Sequence, residues 1–265
     1  MDLGLTGATA VVVGGSRGMG LATARCLAEE GARVAVLGRS RTDLDRAVTQ
    51  LRRCGSPDAV GLLADVRDGE RVAAAFAELE QCWDGELNVL VNTVGPNVQG
   101  RADLLTDEQW REAVDDGVLS MVRCVRSALP LLRHAEWARI VNFSAHSTQR
   151  QSIPLAAYTA AKAMVTSASK NLSLLLAPEE ILVNVVSPGT FATPALLRWA
   201  RSVGIEGDDP YRLMSAIGEH FGHPAQLPRA GRPDEIGPVV AFLASRRNSY
   251  MTGANVNVDG GSDFT

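Results

Sequence analysis

Short apolar runs rich in valine and isoleucine alternate along this chain with longer stretches whose apolar positions recur at helical spacing. Residues 8–13 are almost continuously apolar, the pattern of a strand buried on both faces. Similar runs follow at 33–37, 60–64, 89–92, 139–144, 181–186 and 255–258. Between them the spacing predicts helices over 18–30, about 40–53, about 68–82, 106–132, 155–177 and 233–244. Gly31 reads as a C-terminal cap. Ser40-Arg41-Thr42-Asp43 and Thr106-Asp107-Glu108-Gln109 read as helix openings. Pro233 sits at a first turn, where a missing N–H costs nothing.

Seven strands separated by helices predict a doubly wound α/β fold with a seven-stranded parallel sheet. Gly189, Gly204, Gly207, Gly218 and Gly222 punctuate a mixed segment over roughly 189–229. It follows a strand's carboxyl end, so it is expected to form a substrate lid, with short helices near 199–200 and 211–217. Trp199, Tyr211, Met214 and Phe221 are its apolar lid or subunit-contact residues. The expectation is one domain over 1–265 carrying that lid.

Composition narrows the function. The chain is 46% hydrophobic and 21% charged, which is ordinary for a globular protein with a sizeable core. A net charge of −4 argues against nucleic acid or an anionic membrane as partner. No signal-peptide pattern opens the chain, and no apolar run approaches the ~20 residues of a spanning helix. Cys26, Cys54, Cys82 and Cys124 form no C-x-x-C pair. A cytoplasmic protein with reduced thiols is expected. His220-Phe221-Gly222-His223 lacks a third ligand, so no metal site is expected.

Two stretches carry chemistry. Tyr158 and Lys162 stand one helical turn apart, and an ammonium beside a phenol favours the phenolate. Such a pair can exchange a proton with an alcohol or carbonyl. Gly14-Gly15-Ser16-Arg17-Gly18-Met19-Gly20 lies between the first strand and first helix, where glycines let backbone approach a pyrophosphate on the helix N-terminus. The second strand runs into Gly38-Arg39-Ser40. Gly38 stands where an acid would hold a ribose 2′-hydroxyl, and Arg39, with Arg17 near it, suits a 2′-phosphate. The expected cofactor is NADP(H) in preference to NAD(H).

Together these residues resemble the short-chain dehydrogenase/reductase family in its single-domain, Rossmann-type form, from Leu5 to Gly261. Asp65-Val66 is similar to the segment that contacts adenine in that family. Asn92-Thr93-Val94-Gly95 resembles its N-x-x-G segment. Pro188-Gly189 with Thr193 resembles its P-G-x-x-x-T segment beside the nicotinamide. The resemblance implies cofactor contacts at Gly14, Ser16, Arg17, Gly18, Met19, Gly20, Arg39, Ser40, Asp65, Val66, Asn92, Gly95, Pro188, Gly189 and Thr193, and at the Tyr158/Lys162 pair. It implies that Tyr158 passes a proton to the substrate oxygen, while Lys162 lowers the tyrosine pKa and holds the nicotinamide ribose.

Two family positions are changed. The serine that polarises the carbonyl falls on Ala145, with Ser147 as first substitute, Ser144 as second and His146 as third. Period-two alternation favours Ser147 over Ser144 if the strand continues that far. The asparagine of the preceding long helix, which anchors a water leading to the lysine, falls on Gly117. There a kink is expected, from which a freed carbonyl or a water could still reach Lys162.

The implied reaction is hydride transfer between NADP(H) and a ketone or secondary alcohol of a small to medium, partly apolar substrate. The alternatives are a catalytically impaired NADP(H)-binding sensor or partner, and an isomerase or dehydratase on the same scaffold. Apolar residues on more than one face of the two long helices, together with the resemblance, imply a homo-oligomer, a tetramer or dimer.

Overall fold

The computed structural model describes residues 2–222 and 224–262. Its strands are β1 (Thr9–Val13), β2 (Arg33–Gly38), β3 (Ala59–Leu63), β4 (Val89–Asn92), β5 (Arg139–Phe143), β6 (Leu182–Pro188) and β7 (Asn255–Val258). All pair in parallel, in the order β3-β2-β1-β4-β5-β6-β7. The order reverses at β1, where Val13 pairs with Leu37 on one side and Asn92 on the other. Chain leaving β1 and chain leaving β4 diverge, so a crevice opens at their carboxyl ends.

The helices are α1 (Gly18–Glu29), α2 (Arg41–Arg53), α3 (Gly69–Cys82), α4 (Asp107–Val114), α5 (Ser120–His134), α6 (Ala156–Leu176), α7 (Pro194–Ser202), α8 (Pro210–Phe221) and α9 (Gly237–Leu243). Every residue of β1 is buried, and alternate side chains go to opposite faces. Val11 and Val13 pack with Phe76, Leu90 and Leu132 in the layer under α3, α5 and α6. Ala10 and Val12 pack with Leu27, Leu44 and Val240 under α1, α2 and α9. Each fully buried aliphatic side chain contributes about 1.5–3 kcal/mol, so the strand ends that carry the site rest on two firm layers.

The helix expected over 106–132 is interrupted. Its capping box forms as read, with Gln109 N–H donating to Thr106 Oγ1 and Gln109 Oε1 accepting from Thr106 N–H. A π turn, Asp115–Leu119, then separates α4 from α5. Gly117 lies in that turn, and a Cβ there would come within 2.9 Å of Ala161 Cβ on α6. Ser120 Oγ lies 2.7 Å from Asp116 O and 2.9 Å from Gly117 O, within reach of the carbonyls the wide turn exposes.

The helix expected over 233–244 is also split, into a 3₁₀ turn at Pro233–Glu235 and α9. Pro238 lacks the N–H that a continuous helix would need there. The segment expected to be a lid carries two full helices, α7 and α8, longer than the short pieces expected. Each opens on a proline and an N-terminal cap: Thr193 accepts from Leu196 N–H at 3.3 Å, and Asp209 from Tyr211 N–H at 2.9 Å. No helix among the described residues is long and apolar enough to cross a membrane.

Candidate active site

At the crevice, backbone meets backbone. Gly14 has φ +78°, and a Cβ on it would lie 2.6 Å from Thr93 Oγ1. A Cβ on Gly20 would overlap the Gly14 carbonyl oxygen, so the first turn of α1 is drawn tight against the loop. The result is a cleft of about 380 Å³ beside the N-terminus of α1, with Gly14, Ser16 and Arg17 on one wall. Gly38, Arg39 and Ser40 form a second wall, and Asp65, Val66 and Gly95 a third.

No acid stands at the end of β2. Arg39 is exposed and 3.8 Å from Asp65, and Arg17 is 3.6 Å from Asp43. These are loose surface pairs, each worth well under about 1 kcal/mol, so both guanidinium groups can turn to an incoming anion at little cost. Ser40 Oγ caps α2 by accepting from Asp43 N–H at 3.3 Å, which leaves its own proton available for donation. The glycine cradle and this charge pattern fit a dinucleotide.

Asn92 stands apart from the cleft. It is buried, and its Nδ2 donates to Asn142 Oδ1 at 2.8 Å across the β4–β5 pair. Asn142 Nδ2 in turn donates to Ser169 Oγ on α6 at 2.9 Å. The side chain joins sheet to helix.

A second cavity, of about 250 Å³, opens where the ends of β5 and β6 meet α6, α7 and α8. Tyr158, in the first turn of α6, forms part of its wall. Met19, Pro188, Gly189 and Thr193 also face it. Gly189 is required for packing, since a Cβ there would lie 2.6 Å from Asp259 Cα. Phe191, Trp199, Ile217 and Phe221 make the apolar side. Of the expected lid residues, Trp199 and Phe221 reach the cavity, Met214 is buried beneath, and Tyr211 is exposed.

Lys162 lies one turn beyond Tyr158 and is buried, with Nζ donating to Phe143 O at 2.7 Å and toward Val94 O at 3.4 Å. Its ammonium lies directly under Gly95, where a Cβ would collide with Nζ. Burial pulls the Lys162 pKa down to about 8 and pushes the Tyr158 phenol up to about 12. Desolvation of the phenol thus opposes the lowering expected from its lysine. Desolvation outweighs an ammonium that is held by two carbonyls.

β5 ends at Phe143, and a 3₁₀ turn, His146–Thr148, follows, so strand alternation does not decide which hydroxyl faces the cavity. Ser144 Oγ donates to Lys162 O at 3.0 Å and accepts from Thr166 Oγ1 at 2.7 Å, which commits it to α6. Ala145, His146 and Ser147 line the cavity. Thr159 Oγ1 donates weakly to Ser147 Oγ at 3.4 Å, an arrangement that leaves the Ser147 proton for a ligand. His146 Nδ1 lies 3.2 Å from Pro188 O. The Gly117 carbonyl accepts from Ser120 Oγ at 2.9 Å.

Sequence reasoning passed over Asn97 and Gln99, which supply amides to the cavity wall. Their signal was position: they directly follow the N-x-x-G segment at the carboxyl edge of β4, where ligand loops concentrate. No group of three or more His, Cys, Asp or Glu among the described residues could hold a metal ion, and His223 lies outside them. His220 Nδ1 contacts Ala216 O at 3.0 Å, and its ring packs edge-on to Trp199.

The family model described as enoyl-(acyl carrier protein) reductase matches residues 13–263. The short-chain reductase protein NovJ of Streptomyces niveus is 32% identical over 252 residues, covering 95% of this chain and 92% of that protein. The 3-oxoacyl-(acyl-carrier-protein) reductase FabG of Staphylococcus aureus is 30% identical over 253 residues, covering 96% and 97%. Among solved structures, L-sorbose reductase from Gluconobacter frateurii, complexed with NADPH and L-sorbose, superimposes with a TM-score of 0.92 at 27% identity, covering 100% of both chains. With this fold, this crevice and relatives matched along nearly their whole length, the chain belongs to the short-chain dehydrogenase/reductase family and is an oxidoreductase acting between C=O and CH–OH groups.

Proposed function

We propose that this chain transfers a hydride between NADP(H) and the ketone or secondary-alcohol carbon of a small to medium, partly apolar substrate. The observation that carries this is the Tyr158 phenol, set into the wall of a largely apolar cavity with Lys162 buried one turn below it. A phenol held near pKa 12 is protonated at neutral pH, the state needed to give a proton to a carbonyl oxygen. That oxygen becomes an alkoxide, a far stronger base than a phenolate, so the transfer runs downhill in the direction of reduction. When bound, the nicotinamide supplies the hydride.

Ser147 donates a hydrogen bond to the same oxygen from the opposing turn, in place of the hydroxyl that Ala145 lacks. Lys162 holds the ribose and restores the proton to Tyr158. Pro188, Gly189 and Thr193 flank the reacting end of the cofactor, Asp65 and Val66 its adenine, and Gly14 to Gly20 its pyrophosphate. Arg39, Arg17 and Ser40 favour the 2′-phosphate of NADP(H). The NADPH complex of L-sorbose reductase supports the same cofactor.

Leu119, Met164, Leu174 and Leu175 are exposed on the π turn and α6, which favours a homo-oligomer formed through these faces.

A second possibility is an NADP(H)-binding protein with weakened catalysis. It is favoured by the missing hydroxyl at Ala145 and by the helix contact that occupies the asparagine position at Gly117. NADPH oxidation against a broad carbonyl panel separates the two. Turnover in the wild type should fall about 10²–10⁴-fold in Tyr158→Phe while NADPH binding is kept. Full activity in Tyr158→Phe sinks the proposal. Tight NADPH binding with no turnover on any carbonyl favours the second possibility.

A further inference from the structure

We infer that the substrate has two ends: a ketone seated in the Tyr158 cavity, and a carboxylate-bearing tail that leaves past Trp199 to meet Arg198. This rests on the Tyr158 cavity being the place of hydride transfer. The cavity is small, about 250 Å³, yet it does not end in a closed wall. A groove of about 550 Å³ adjoins it, and Asn97, Gln99, Ala195 and Trp199 line both spaces. Trp199 is the sill between them. Its position is fixed from behind by the His220 ring edge-on at 5.4 Å and the Phe221 ring at 5.2 Å.

Polarity changes across the sill. The inner space is walled by aromatic and aliphatic side chains, while the groove adds Gln109 and the Arg198 guanidinium, on the exposed side of α7. The groove also carries one carboxylate, Glu112, but Arg67 is 3.3 Å from it, and Glu112 equally borders the nucleotide cleft. Arg198 makes no ion pair with a described carboxylate. The groove therefore presents one unmatched cation among side-chain amides. A planar guanidinium takes a carboxylate through two parallel hydrogen bonds, and the amides can solvate the chain leading to it.

The test uses (ω−1)-oxo carboxylic acids, which end in a methyl ketone, at graded length, their methyl esters, and methyl ketones without the tail. At the length that spans the sill, the wild type should prefer acid to ester. Arg198→Gln should raise KM for the acid about fivefold, leave KM for the ester unchanged and leave kcat unchanged for both. Arg198→Glu should turn the preference toward the ester. The wild-type preference should shrink as salt is raised. Acid and ester used equally at every length, or a preference that survives Arg198→Gln, overturns the inference. Tail-less ketones separate this failure from that of the proposed function. Their turnover, lost in Tyr158→Phe, keeps hydride transfer whatever the acid-to-ester ratio shows; no turnover of any ketone overturns both.

Discussion

Gly117 and Ala161 face each other so closely across the contact between the π turn and α6 that a methyl group on the glycine would lie 2.9 Å from Ala161 Cβ. The absent asparagine is thus a packing fact. Placing Gly117→Asn here should push α6 outward, lower stability by about 1–3 kcal/mol in urea unfolding, and leave kcat no higher than before. An unchanged midpoint with a raised kcat would show that the position still has room for a relay.

The two serines beside Ala145 should behave differently. Ser147→Ala removes a donor to a developing alkoxide and should lower kcat about 10–100-fold. Ser144→Ala removes hydrogen bonds to α6 and should cost about 1 kcal/mol of stability with kcat little changed. Steady-state kinetics and thermal melts of both variants check this, and equal kcat in Ser147→Ala and wild type removes Ser147 from the chemistry.

Arg39→Ala should weaken NADP(H) about 10–100-fold, the worth of a charge-assisted contact, and leave NAD(H) almost unaffected. Fluorescence titration with each cofactor measures it. Equal losses for the two would mean that Arg39 does not read the 2′-phosphate.

Lys162 gives a pH signature. Its folded pKa, about 8, lies below the ordinary lysine value of 10.5, so between these values the unfolded chain binds a proton that the folded chain has lost. Stability therefore rises with pH across this window relative to a variant without the amine. The full shift corresponds to about 3 kcal/mol, of which roughly two-thirds falls between about pH 8 and 10, before tyrosine ionisation intrudes. Urea unfolding of wild type and Lys162→Met at several pH values tests this; parallel pH curves would mean that the amine is not desolvated.

The strands, the glycine loop and the spacing of Tyr158 and Lys162 were legible because each is a local pattern: period, turn chemistry, or one helical turn. The changes at Ala145 and Gly117 were legible by counting alone. What each change does was not. The direction of the Ser144 and Ser147 hydroxyls depends on where β5 gives way to a 3₁₀ turn, which follows from tertiary packing. The Tyr158 pKa depends on cavity walls contributed by Trp199 and Phe221, about 40 and 60 residues downstream, and no window around Tyr158 contains them. Asn92 looked like part of a cofactor segment, yet its side chain points into the layer between sheet and helix, a matter of register that its motif does not encode.

That buried chain, Asn92 to Asn142 to Ser169, acts as an index mark for α6. A slip of one residue along the helix would carry the phenol about 1.5 Å along the axis and about 100° around it, enough to face it away from any substrate. Hydrophobic contacts alone resist such a slip poorly, since one small side chain replaces another. Two side-chain amides and a hydroxyl do resist it, because the slip would strand buried polar groups together. The aim of the Tyr158 phenol is set about three turns further along the same face of α6, away from the cavity.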